Sequence, residues 1–397
     1  MPAMRTPALA AVPIALLLSA ALAGAAAVGE PERPAAMDFW GAPRRGANLF
    51  DRLESGARLR AAAAAGIEWV RLAPDKWKGE GRDFLVGDAD SFAGVPAADM
   101  ARLRAVLDSA DAAGLKVALV MLSLPGARWR QHNGNRSDFR LYRDERALAQ
   151  AAEFWRQVAG ALRGHPAIVA YDLLNEPHPD RARGIDPRRL ADVQRRLVAA
   201  IRSADPDTPV MLEGAAFASP RGFAELEPLE DPHALYSFHF YEPWPYIDHR
   251  QAGRWRYPGP VPAEDDTSRR EAWGPGQIAS ALAPVVAWQA RHGIASSRVI
   301  CAEFGVPRTH PGAEAWLGDV IRACERQRWH WAFYSFREDT WAAMDYELGP
   351  GPLPRGYWLA AESGRVVELP RRPNALWDVV RRGLAGDTTD VAPGKVR

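Results

Sequence analysis

Ala167-Ile168-Val169-Ala170-Tyr171-Asp172-Leu173-Leu174-Asn175-Glu176-Pro177 reads as a buried strand running into a turn. A near-continuous apolar run of this length suits a strand covered on both faces, as in a parallel sheet. Pro177 has no N–H to continue a ladder, so the chain turns there. Glu176 is therefore held by the strand yet set at its exit, a position that joins rigidity with access. A second apolar run, Arg298-Val299-Ile300-Cys301-Ala302, ends the same way at Glu303-Phe304-Gly305.

Working outward, strand-like runs alternate with amphipathic helices from Gly46 to about Leu384. Strands are read at Gly46–Phe50, Ile67–Leu72, Lys116–Ser123, Ala167–Leu174, Pro209–Leu212, Leu235–Tyr241, Arg298–Glu303 and Trp331–Phe336. Helices are read at Ser55–Ala65, Ala97–Ala113, Arg146–Leu162, Pro187–Ala204, Gln277–His292, Pro311–Arg326 and Asn374–Leu384, with a weak signal at Gly222–Leu226. In the Pro187 helix, Asp186 is the expected cap and Leu190, Val193, Leu197 and Ile201 form the apolar stripe. Eight strands in alternation with helices predict an α/β fold, a (β/α)8 TIM barrel of one domain with long strand-to-helix loops. No Gly-rich phosphate fingerprint follows the first strand, which weighs against a dinucleotide fold.

The ends read differently. Residues 1–29 carry Arg5 followed by an Ala- and Leu-rich run with Ala-x-Ala-like triplets at Ala21-Leu22-Ala23 and Ala25-Ala26-Ala27. That pattern is expected of a signal peptide, hence of a secreted or periplasmic protein, rather than of a membrane anchor. Residues 38–386 would then form the catalytic domain, and 387–397 a polar C-terminal tail. A monomer with no membrane association after cleavage is expected.

Apolar residues make up 47% of the chain, enough for a large core, and the net charge of +1 gives no footprint for nucleic acid. Four of the 50 basic residues are Lys and the rest Arg, scattered along the chain. Cys301 and Cys324 form no disulfide framework and are read as buried free thiols. Cys301, two residues before Glu303, is expected to point into the barrel.

In such a barrel the active residues sit at the C-terminal ends of the strands. Strand two ends at Arg71, strand four at Asn175-Glu176, strand six at His239-Phe240-Tyr241 and strand seven at Glu303. Each residue has an ordinary reading: Arg71 as a structural ion-pair partner, His239 as a satisfied buried histidine, Tyr241 as core. Four strands delivering polar groups to one face make a constellation instead. A pair of glutamates there is the equipment of glycoside cleavage.

The set Arg71, Asn175-Glu176-Pro177, His239-x-Tyr241 and Glu303-Phe304-Gly305 resembles glycoside hydrolase family 5, the cellulase-like group of retaining (β/α)8 glycosidases. The resemblance runs from the first strand to the eighth. It implies Glu303 as nucleophile and Glu176 as acid/base, with carboxyls about 5–5.5 Å apart. It also implies that Arg71 and Tyr241 hold Glu303, that Asn175 meets the sugar 2-hydroxyl, and that His239 orients a hydroxyl or Glu176. Glu176 is expected among apolar walls. No cofactor and no metal are implied, and no His-x-x-x-His or Cys-x-x-Cys spacing appears.

Two departures stand out. Leu122 occupies the place where many relatives have a His at the third strand, with Ser123 as a candidate replacement. The eighth-strand aromatic platform is open among Tyr334, Phe336 and Trp341. Trp129, Trp244 and His178 are further candidates for lining a carbohydrate cleft. The long segment that follows Tyr241, as far as Gln277, carries Trp244, Tyr246, Trp255, Tyr257 and Trp273, either for stacking on sugar or for packing on itself. After the eighth strand, Glu338, Asp339, Asp345 and Glu347 could bind hydroxyls or face water. The expected activity is hydrolysis of a β-linked glucan or a related polysaccharide or oligosaccharide. The rival readings are a β-mannanase, an exo-β-glucosidase, an enzyme processing the cell's own exported polysaccharide, or a non-catalytic carbohydrate-binding barrel.

Overall fold

The computed structural model describes residues 35–387 except 51–55, Asp180, Ala252, 340–342, Leu353, Arg355, 358–359 and 361–368. The expected signal peptide at 1–29, Trp341, and all of the expected tail but Asp387 lie outside the described residues.

Eight parallel strands close into a barrel: β1 (Arg45–Leu49), β2 (Trp69–Leu72), β3 (Lys116–Val120), β4 (Ile168–Asp172), β5 (Val210–Glu213), β6 (Ala234–Phe240), β9 (Val299–Phe304) and β10 (His330–Phe333), with β10 pairing back onto β1. An antiparallel hairpin that the sequence reading did not separate, β7 (Gly259–Pro262) with β8 (Arg270–Trp273), stands in the segment between β6 and β9. The helices around the barrel are α1 (Gly56–Ala64), α2 (Ala97–Ala112), α3 (Glu145–Leu162), α4 (Arg189–Ala204), α5 (Pro220–Phe223), α6 (Trp244–Ile247), α7 (Pro275–His292), α8 (Ala313–Gln327) and α9 (Ala375–Leu384). Among the described residues no helix is long and apolar enough to cross a membrane.

The expected (β/α)8 fold stands, with shifts at element ends. Helix α4 begins two residues later than expected, because Asp186 and Pro187 spend their geometry on the turn before it. The Asp186 carboxylate accepts from the Arg188 N–H at 3.0 Å there. The stripe Leu190, Val193, Leu197 and Ile201 is buried as read.

Side chains alternate in and out along each strand. Inside the barrel, Trp69, Ala118, Ala170, Met211, Leu235, Ile300, Ala302 and Ala332 form an apolar layer, floored by Met37 and Trp40. Gly46 has no side chain because a Cβ there would sit 2.6 Å from the Trp69 indole. The outward residues of the strands pack on the helices in a second, larger core.

Cys301 corrects the expectation. It is a buried free thiol, but it faces the helix layer beside Cys324 of α8. The reason is an irregularity at Ala302. On β6, Phe238 pairs with Cys301 but His239 pairs with Glu303, so Ala302 is an extra residue in the ladder. Such a bulge breaks the two-residue alternation. It brings Glu303 inward although Cys301 points out.

Trp40 is fully buried, donates its indole N–H to the Val169 carbonyl at 3.0 Å, and meets Trp69 and His330 edge-on. Trp40→Ala is expected to lower unfolding stability by about 3–5 kcal/mol, read by denaturant titration. Residual activity at low temperature is expected to persist, since this floor lies at the opposite end of the barrel from the strand exits.

Candidate active site

Directly above the apolar layer the same inward positions turn polar: Asn48, Arg71, Asp172, Glu213, His239 and Glu303 are all buried. Arg71 is the hub. Its Nη1 donates to Glu303 Oε1 at 2.5 Å, its Nε to Asp172 Oδ2 at 2.7 Å, and its Nη2 to Glu213 Oε1 at 2.6 Å and Asn175 Oδ1 at 2.9 Å. A planar guanidinium with five donors is the one side chain that can meet three carboxylates at fixed angles. Asn48 supports it from β1, donating to the Ala302 carbonyl at 2.9 Å with its own oxygen 3.4 Å from Arg71 Nη1.

Glu303 is held from its other oxygen by the Tyr241 hydroxyl, which donates to Oε2 at 2.8 Å. Burial, and then the charge of Glu303, pushes the Tyr241 phenol well up, so it stays a neutral donor. Burial also lifts the Glu303 carboxyl above its ordinary range, while His239 and Arg71 pull the other way. Asp172 is raised by burial to about 7 against the pull of Arg71. Glu213 differs: burial acts upward, but His239 and Arg71 together hold it below the ordinary range.

Glu176 stands in the turn after β4 with φ 51°, a left-handed backbone that a non-glycine residue adopts only when its surroundings enforce it. They do so here. Its N–H donates to Glu213 Oε2 at 2.6 Å, and the neighbouring Asn175 N–H donates to the Met121 carbonyl at 2.9 Å. The Glu176 side chain is 32% exposed rather than walled by apolar groups, and its Oε1 lies 3.0 Å from His239 Nδ1. The other ring nitrogen, Nε2, is 3.0 Å from Glu213 Oε1, and Nδ1 is also 3.7 Å from Glu303 Oε2. Burial alone would lower His239, yet Glu213, Glu303 and Glu176 together raise it to about 10. Ligand-type atoms of Glu176, His239 and Glu303 lie within 4.8 Å of one another.

The other expected residues divide. His178 donates its Nδ1–H to the Glu176 carbonyl at 2.9 Å and lines a pocket beside Glu176 with Leu122, Trp129, Phe139 and Phe217. Trp129 carries the Lys76 ammonium 5.3 Å from its ring centre. Tyr334 is buried next to Tyr241 and meets Phe50 edge-on at 5.6 Å. Phe336 turns instead toward Trp377 of α9, which leaves Tyr334 as the described candidate for the platform. Ser123 is not a replacement sugar contact: it is buried, its Oγ accepts the Trp129 N–H at 3.1 Å, and its own N–H donates to Asp75 at 2.7 Å.

The loop readings also sort themselves. In the segment after β6, Tyr246 and Tyr257 are buried, their hydroxyls donating to the Pro311 carbonyl and to Asp319. Trp244 alone of that group is well exposed, at 43%, and its backbone N–H reaches Glu264 rather than the carboxyl pair. After β10, Glu338, Asp339, Asp345 and Glu347 are each paired with arginine: Arg58, Arg308, Arg371, and Arg337 with Arg371.

Four positions around the site escaped the sequence reading: Asn48, Asp172, Glu213 and Phe217. Asp172 and Glu213 are polar residues at the ends of apolar strands, the same signal that found Arg71 and Glu303. Glu213 fell one residue past the strand end as read. Phe217 had no such signal. It is 55% exposed at the centre of Ala216-Phe217-Ala218, three consecutive residues with φ between 54° and 59°. Each left-handed residue costs about 1–2 kcal/mol, and this run raises Phe217 to stack on His178 at 4.6 Å and 10°.

Comparison with known proteins identifies the family. The family model described as Cellulase (glycosyl hydrolase family 5) matches residues 39–340. Endoglucanase C of Acetivibrio thermocellus is 24% identical over 205 residues, 51% of this chain and 54% of that protein. Endoglucanase H of the same organism is 23% identical over 103 residues, 26% of this chain and 11% of that protein. The chain thus spans about half or less of these relatives. Among solved structures, Thermotoga maritima Cel5A in complex with cellobiose superposes with a TM-score of 0.61 at 16% identity, over 87% of this chain and 99% of that one, a likeness of fold.

Arg71→Met is expected to lower stability by about 3–5 kcal/mol, because it leaves three buried carboxylates without their cation. Removing the exposed Arg156, paired with Glu153, should leave stability nearly unchanged, because solvent screens the pair. Thermal unfolding of both variants checks the contrast.

Proposed function

The chain belongs to the cellulase family, glycosyl hydrolase family 5, and on that premise we propose that it is a retaining β-glycosidase. Its substrate is a β-linked glucan or a related polysaccharide or oligosaccharide. The observation that carries retention is the short span between the two carboxylates, whose oxygens lie within 4.8 Å. Inverting enzymes need roughly 6.5–9.5 Å to admit a water between them.

In this reading Glu303 attacks the anomeric carbon and forms a glycosyl ester while Glu176 protonates the departing oxygen. Glu176 then takes a proton from water, which attacks the same carbon and frees Glu303. Arg71 and the Tyr241 hydroxyl aim Glu303 and steady its charge as it is regenerated. Asn175, fixed by Arg71, is placed to meet a sugar hydroxyl, and Tyr334 underlies the reacting ring. His178, Trp129 and Phe217, on the Glu176 side, receive the leaving-group sugar. The catalytic unit is residues 38–386, and export directed by 1–29 places it outside the cytoplasm.

Treatment with an activated 2-fluoroglycoside should label Glu303, as read by peptide mass spectrometry. A label on any other residue would overturn the assignment. Glu303→Ala should lose activity on the order of ten-thousand-fold or more with its fold intact. Glu176→Ala should retain turnover of substrates with good leaving groups and yield a β-glycosyl azide when azide is added; an α-azide would contradict retention. Phe217→Ala should weaken long oligosaccharides by roughly 3–10-fold, the worth of one stacking contact, and leave activated aryl glycosides unaffected. Purified protein assayed on β-glucans, mannans, xylans and bacterial exopolysaccharides identifies the sugar.

A further inference from the structure

The acid/base and nucleophile account leaves one buried group unexplained. Glu213 is 2% exposed, reaches no solvent and stands behind both reacting carboxylates. Its Oε1 accepts from Arg71 Nη2 at 2.6 Å and lies 3.0 Å from His239 Nε2, while its Oε2 accepts the Glu176 N–H at 2.6 Å. A single carboxylate therefore touches the cation that holds Glu303, the ring that meets the Glu176 side chain, and the backbone that positions Glu176.

The ring geometry decides what this contact does. His239 has a carboxylate oxygen 3.0 Å from each nitrogen, Glu176 at Nδ1 and Glu213 at Nε2. A neutral imidazole carries one N–H and one lone pair. Once Glu176 has given up its proton, the lone pair of either tautomer would face an anionic oxygen at that distance, so in that state the doubly protonated ring is the one that fits. We propose that Glu213 is a positioning residue: a third, permanently anionic carboxylate that keeps His239 as an imidazolium aimed at Glu176 and pins the turn carrying Glu176. The inference rests on the reading of Glu176 and Glu303 as the reacting pair.

Every charged group around the ring fits this assignment. Glu213 comes from β5, Glu176 and Asp172 from β4 and its exit, Glu303 from β9, and Arg71 from β2, with Tyr241 following His239 on its own strand. Of the three carboxylates that share Arg71, Glu213 is the one held below its ordinary range, whereas Glu303 and Asp172 are lifted by burial. The carboxylate whose charged form is most favoured is thus one that does no bond-making. In exchange, the imidazolium donates to Glu176 throughout the cycle and does not compete for the proton Glu176 must pass on.

Glu213→Gln preserves shape but replaces one oxygen with an N–H₂ that must face donors. It is expected to lower kcat by roughly 10–100-fold, at the low end of what a positioned general acid supplies, with KM within about 2-fold. Proton-detected nitrogen NMR of His239 gives the direct readout. The wild-type ring should remain an imidazolium through pH 8. In the variant its titration should fall by at least one pH unit, because the loss of an adjacent anion removes what stabilises the charged form. The alkaline limb of kcat/KM should move down with it. A neutral His239 at pH 7 in the wild type, or an unchanged titration in Glu213→Gln, overturns the proposal. Should the variant fail to fold, the wild-type ring alone decides, since its protonation state is the claim. The NMR needs no substrate: if Glu303 labels normally while His239 is neutral, the positioning device fails by itself. If labelling misses Glu303 while His239 titrates as expected, the catalytic reading fails, and the role in that reaction falls with it.

Discussion

One guanidinium organises the top of this barrel. Arg71 lies wholly inside it, where an isolated charge is heavily penalised, and three strand-end carboxylates from β4, β5 and β9 converge on it. Each of those carboxylates would be untenable there alone. Together they define a plane of fixed bonds on which Glu303 and Glu176 are mounted, one through its side chain and the other through its backbone. The apolar layer beneath makes this possible by excluding water, which strengthens every bond in the plane.

The fold was legible because a barrel of this class writes itself in alternating apolar strands and amphipathic helices, and all eight strands were visible in that way. The convergence of Glu176 and Glu303 was legible for a related reason: both interrupt apolar runs at their ends. Asp172 and Glu213 carry the same mark, but Asp172 sat inside a run read as apolar and Glu213 just beyond one. Asn48 was hidden because a single amide in a short strand has no distinguishing pattern. What alternation could not deliver was direction at β9, where the extra residue at Ala302 turns Glu303 inward and Cys301 outward. Nor could it deliver Phe217, whose exposure depends on backbone angles that no residue type in Ala216-Phe217-Ala218 announces.

Arginine explains much of how the loops are held. Arg128 joins Asp83, Asp88 and Asp90; Arg308 joins Asp339 to the Gly349 and Gly351 carbonyls; Arg371 bridges Asp345 and Glu347. These ties lie in loops without regular structure, where backbone ladders cannot bear the organisation. Arginines that read only as scattered along the sequence thus have a structural use in these loops. The aromatic segment between β6 and α7 follows the same economy, its tyrosines turned inward and sealed by hydroxyl bonds to the loop and helix that follow β9.

The irregularity at Ala302 has a wider meaning for how such sites can be moved between proteins. In a regular strand, shifting the chain by one residue exchanges every inward side chain for its outward neighbour. Here Glu303 owes its aim to a local break in that rule. Transplanting the two glutamates and their arginine into another eight-stranded scaffold would therefore send Glu303 into the helix layer unless the surplus residue travelled with it. The transferable unit is a length of misaligned backbone as much as a set of side chains.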